Sequence, residues 1–192
     1  MQPLSEGELE SVTAGGFSNF LIEDNTAKMW FNMDAEINAH IETFKANYGP
    51  DGSGVYGWDQ DWSDVYIGEY VAGEPQTPLL LSGFVYEAEF DDITADDKHL
   101  LSLKWGFSSV EGEISADFAS FSGYYDDPRK GFYRADADTM DSTGTGRGTF
   151  TFDQDHLYVI LDARGVDPYG SPHADYRPGF YFDFGGAQFT RN

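Results

Sequence analysis

Fifteen consecutive residues, Lys28–Glu42, alternate between two side-chain sets. Met29, Phe31, Met33, Ala35, Ile37, Ala39 and Ile41 form an apolar set. Trp30, Asn32, Asp34, Glu36, Asn38 and His40 interleave with them, between Lys28 and Glu42. Successive side chains of a strand point to opposite faces, so this period requires a strand with one dry and one wet face. At about 3.3 Å per residue it spans roughly 50 Å. Strands are seldom that long, so a bend or bulge is expected to divide it, and the sheet is elongated or strongly curled.

The remaining chain offers only partners of the same kind. Strands are predicted at Val65–Val71, Leu79–Phe90, Leu100–Phe107, Val110–Phe121, Gly131–Asp136, Gly148–Asp153, Leu157–Ala163 and Phe180–Phe184, with Ala187–Phe189 as a terminal extension. Ser108-Ser109 reads as a hairpin turn, Glu74–Pro78 as a break, and residues 47–64 as a turn-rich loop. No helix long enough for a crossover separates any two strands, so antiparallel pairing is predicted throughout. The expected fold is all-β: an antiparallel sandwich or curled, barrel-like sheet of about nine strands over residues 28–192. Residues 1–27 form a preceding arm. Ser5 and Glu8 have capping-box spacing, Leu4 and Leu9 fit a hydrophobic staple, and Gly15-Gly16 is a stop, which suits a short helix.

Charge narrows the functions open to such a sheet. Thirty-four acidic residues against eleven basic ones leave a net charge of −23. That field repels phosphate backbones and anionic lipid surfaces, so neither nucleic acid nor an anionic membrane is an expected partner. With no cysteine, thiolate catalysis and cysteine–zinc sites are excluded. His40, His99, His156 and His173 lie at no metal-binding spacing. No apolar run reaches the length of a membrane-spanning helix, and no signal peptide is visible.

Four groups of residues are candidates for chemistry. Asp59, Asp61, Ser63 and Asp64 open like a calcium loop, but Asp64 occupies the glycine position and Tyr70 the final glutamate position of an EF-hand. Asp136, Asp138 and Asp141 flank the Gly-rich TGTGRG run and offer a second set of oxygens, as do Asp126 and Asp127. A structural calcium in these loops is the cofactor expectation, against the plainer reading of solvated acids. Gly144–Gly148 precedes a strand instead of opening a helix, so it reads as a turn and not a phosphate loop. Glu87, Glu89 and Asp91 share a strand face, as paired carboxylates of retaining glycosidases do. Trp30, Trp58, Trp62, Tyr124 and Tyr125, joined by Tyr133, are aromatic candidates for a glycan, a small hydrophobic ligand or a protein interface.

Pro3-Leu4-Ser5, Leu9 and Val12-Thr13, followed by Val65-Tyr-Ile-Gly68 and Pro78-Leu-Leu-Leu-Ser-Gly-Phe84, all in the first half of the chain, resemble poorly characterised secreted proteins of Gram-negative bacteria. Some of these are labelled pilus-system components. Ala14 stands where members have glycine. The resemblance implies export, a surface or extracellular role, and no catalytic residue. The same opening, with Gly15-Gly16, also looks like a double-glycine leader. The leading expectation is therefore a secreted, non-enzymatic, self-associating protein of fibre or surface-layer type. The alternatives are a glycan or hydrophobic-ligand module, a jelly-roll glycosidase and a small outer-membrane barrel.

Overall fold

The computed structural model describes residues 18–50, 56–125, 133–136, 147–164 and 178–191. All regular structure among them is strand. The elements are β1 (Ser18–Glu23), β2 (Thr26–Ile37), β3 (Ala39–Pro50), β4 (Tyr56–Ile67), β5 (Tyr70–Val71), β6 (Glu74–Pro75), β7 (Leu79–Phe90), β8 (Leu100–Tyr124), β9 (Tyr133–Asp136), β10 (Arg147–Asp162), β11 (Gly179–Asp183) and β12 (Gln188–Arg191). Ten of them make one sheet, and β5 with β6 makes a separate small ribbon. The helix expected within residues 1–16 lies outside the described residues.

The alternating segment forms two strands, β2 and β3, broken at Asn38. A register shift between Phe31 and Asp34 adds the anticipated bulge. Residues 18–27, read as part of an arm, are instead paired into the sheet, β1 lying antiparallel on β2. Residues 56–64, read as loop, join residues 65–67, read as the start of a strand, in the single strand β4. Its acids find partners in Asn47, Lys45, His40 and Arg147 while Trp62 and Val65 go inward, so the strand persists despite a turn-like composition.

The spine is β8, a strand of 25 residues. The hairpin expected at Ser108-Ser109 does not form, because these residues continue the ladder with β7. Along its length β8 pairs with β7, β10, β4, β9 and β11 in turn. The two strands expected around residues 148–163 are likewise one, β10, with register shifts on either side of Asp155. Bulges bend these long strands instead of ending them. Gly106 allows the tightest approach: its φ is +148°, and a Cβ there would collide with the carbonyl of Leu157.

The bending brings the end of β8 back onto its own ladder. Ile160 of β10 pairs with Lys104 of β8 on one side and Tyr181 of β11 on the other. Phe182 of β11 then pairs with Gly123, at the far end of β8, in parallel orientation. That one parallel contact corrects the expectation of a purely antiparallel sheet. Three strands thus pair mutually, while β1 and β3 leave the sheet open. The core lies inside the curl and is dominated by rings, including Trp62, Phe118, Phe121, Phe150, Phe152, Phe182 and Phe184.

Candidate functional site

The predicted acids of β4 do not converge. Asp61 accepts from Lys45 Nζ at 2.8 Å. Asp59 is fully buried, accepts from Asn47 Nδ2, and lies 3.4 Å from the Phe180 N–H. Gly179 makes the room: a Cβ there would sit 2.6 Å from both Asp59 Oδ2 and the Tyr181 hydroxyl. Asp64 points elsewhere because it is a bulge residue, with φ +51° and an adjacent shift in the β4–β8 register. No three His, Asp or Glu side chains gather as a cation site among the described residues. Asp136 lies in β9, while Asp126, Asp127, Asp138 and Asp141 lie outside the described residues.

The bulge makes Asp64 the hub of an outer-face cluster. Its Oδ1 lies 2.8 Å from His40 Nε2 and its Oδ2 2.9 Å from an Arg147 guanidinium nitrogen. Hydrogen bonding to His40, with help from Tyr66 and Arg147, outweighs partial desolvation and holds the Asp64 carboxyl below its ordinary range. Tyr66 stacks on His40 at 4.5 Å, packs on Tyr70 at 4.6 Å, and carries the guanidinium 5.2 Å over its ring. Asp64, Tyr66, Tyr70 and Arg147 wall a cleft of about 570 Å³, to which Glu113, Ser115, Thr149 and Thr151 also contribute. Flat rings beside hydroxyls and carboxylates can stack on and hydrogen-bond a neutral polyol.

Glu87, Glu89 and Asp91 each have separate partners. Glu87 sits between Lys28 Nζ at 3.2 Å and Lys104 Nζ at 2.9 Å. Burial pushes its carboxyl up, but the two ammonium groups outweigh it and hold it low, opposite to what a general acid needs. Glu89 pairs with Arg164 and Asp91 with His99.

The aromatic candidates divide by depth. Trp30 and Trp58 are half-buried and each carries a lysine over its ring, Lys28 and Lys45 respectively. Tyr124 is wholly buried with Ile160 and Tyr181 on the opposite face from the main core. Tyr125 packs edge-on to Phe121 and Phe150. Tyr133 lies in β9. Trp62, expected in an exposed loop, is 4% exposed. Its Nε1–H donates to the Ser120 carbonyl at 3.0 Å while its ring packs on Phe44, Phe118 and Phe182.

Two features were not anticipated. One is a buried polar junction where β4, β8 and β11 meet. The Gln60 side chain donates to the carbonyls of Ser122 at 2.6 Å and Phe180 at 3.2 Å, linking strands whose own ladders diverge there. Nearby, His156 Nε2 lies 2.8 Å from buried Asp183 Oδ1, but out of hydrogen-bond alignment. The other is the edge of β1, which among the described residues pairs with β2 alone. All six of its residues are exposed, with Phe20 at 62%, Leu21 at 42% and Ile22 at 54%. The signal was present in the sequence as three successive apolar residues between Asn19 and Glu23.

These features define an all-β protein built on one curled, open sheet. No known protein family matches the chain, and neither does any curated protein or solved structure.

Proposed function

We propose that the protein is a secreted, non-enzymatic subunit that self-associates by joining β1 of one copy to β1 of another. The carrying observation is the unguarded edge of β1. Among the described residues its outer N–H and C=O groups face no partner strand, and its six residues include no proline, lysine or bulge. Sheet edges are ordinarily blunted by such devices. The opposite edge, β3, carries His40, Glu42, Lys45 and Pro50, and β12 is only four residues long. An antiparallel β1–β1 contact is its own symmetry mate, so it closes as a dimer and extends the sheet across both copies. The resemblance to exported surface proteins supports the same reading.

Sedimentation velocity tests this directly. Wild type is expected to show concentration-dependent association, while Leu21→Lys and Ile22→Lys, both on exposed positions, remain monomeric with unchanged circular dichroism. A wild-type protein that stays monomeric across the accessible concentration range sinks the proposal.

A second reading rests on the Asp64 cleft, whose rings, carboxylates and threonines suit a neutral glycan. Calorimetric titration against a glycan panel tests it, with Tyr66→Ala expected to abolish any binding found. A panel without a single binder rejects it.

A further inference from the structure

Inside the curl, the core is not filled. A cavity of about 270 Å³ is walled by side chains of β2, β3, β4, β7, β8, β10 and β11. Its wall is entirely apolar and includes Phe44, Trp62, Val65, Phe107 and Phe182. Ile41, 37% exposed, stands at its rim, so the cavity communicates with solvent. We propose that this cavity is a binding site for a small, flat, neutral apolar molecule.

Three properties define the ligand. The first is size: an apolar cavity of about 150 Å³ is known to hold benzene, so this volume fits roughly ten carbon atoms, a two-ring molecule. The second is the wall. Phe44, Trp62 and Phe182 form a mutually tilted set with centroids 4.8 to 5.9 Å apart. Tilted rings present edges and faces to a further ring, a geometry that favours an aromatic guest over a flexible chain. The third is charge. No polar group in the wall can satisfy a hydrogen-bonding substituent, and the net charge of −23 opposes a carboxylate held at the rim. Fatty-acid anions are therefore poor candidates, and neutral ring compounds good ones. Because the cavity is separate from the β1 edge, occupancy and assembly are independent properties.

Naphthalene is the probe, with 1-naphthoate as the same ring system carrying a negative charge. Ligand that binds only the folded state raises the unfolding temperature. Saturating naphthalene is expected to raise it by about 3 °C or more, judged from ligand linkage and the size of the chain. The naphthoate shift is expected to be no more than a third as large. Val65→Phe, which places a ring inside the cavity, is expected to abolish the naphthalene shift. Should Val65→Phe fail to fold, Ile41→Trp at the rim is expected to reduce the shift with the core intact. The absence of a naphthalene shift in wild type overturns the proposal, as does a full shift retained in both variants. An equal shift from naphthoate overturns the requirement for a neutral ligand.

Discussion

Asp91 shows how one carboxylate can hold a turn together. Its Oδ1 accepts from the backbone N–H groups of Asp92 and His99 at 2.7 and 2.8 Å, and its Oδ2 lies 2.8 Å from His99 Nδ1. The His99 contacts first, then the Asp92 N–H, depress the carboxyl from 3.8 to about 2. A group depressed in the folded state contributes stability above its unfolded value, and the contribution is lost as pH falls through the folded value. Asp91→Asn is therefore expected to unfold at a lower temperature than wild type at pH 6. The gap is expected to close between about pH 4 and pH 2. A gap that is constant with pH rules out the charge as the cause. Gln60 gives a second test at this scale. Gln60→Leu keeps the volume but leaves the Ser122 and Phe180 carbonyls without their side-chain donor inside the protein. It is expected to cost about 2–6 kcal/mol in a urea titration, at roughly 1–3 kcal/mol for each of the two buried groups left unsatisfied.

At the scale of elements, the long strands act through the rings they bring together. Phe150 of β10 is completely buried and touches rings from three other parts of the chain. Phe118 and Phe121 of β8 lie 5.4 Å away, and Phe184 and Phe189 lie 4.8 Å away. Phe150→Ala is expected to lower stability by about 3–5 kcal/mol, read as a shifted urea midpoint at unchanged slope. Strands such as β7 were legible in the sequence because Pro78 and Asp91 bound a stretch rich in apolar and aromatic residues, and the agreement there is residue for residue. The period-two pattern of β2 and β3 was legible for the same reason. The continuity of β8 and β10 was not. Ser108-Ser109 and Asp153–Asp155 have turn-like composition, and only the partner strand decides whether such residues turn or stay in the ladder. The first nine residues of β4, 56–64, were missed because alternating acids with tryptophans resemble a loop when their partners Lys45, His40 and Arg147 are still unknown. Burial of Asp59 and Gln60 had no local signal, since desolvation comes from strands more than sixty residues away. The apolar cavity was hidden similarly: Trp62 was visible as a candidate ligand residue, but its place at an interior wall depends on β11 and β3.

For the whole molecule, net charge opposes the proposed edge pairing, and salt is expected to tip the balance. Each copy carries −23, so two copies repel as β1 approaches β1. The edge itself offers Phe20, Leu21 and Ile22, whose burial is insensitive to screening. At 10 mM salt the Debye length is about 30 Å, comparable to the size of the chain, and repulsion extends over the whole partner. At 0.5 M it falls below about 5 Å, leaving only charges near the contact, of which Glu23 is the acidic member on β1. Association through β1 is therefore expected to strengthen with sodium chloride between 10 mM and 0.5 M. An interface built from ion pairs would weaken over the same range. Sedimentation velocity at both salts separates the two, with Leu21→Lys as the control that stays monomeric at each. The same screening acts within a single copy, because the compact state also confines the charge. The unfolding temperature of that monomeric variant is expected to rise with salt as well, so intramolecular and intermolecular repulsion are read separately. Association of wild type that falls as salt rises places the contact on charged surface and removes β1 as the assembling edge.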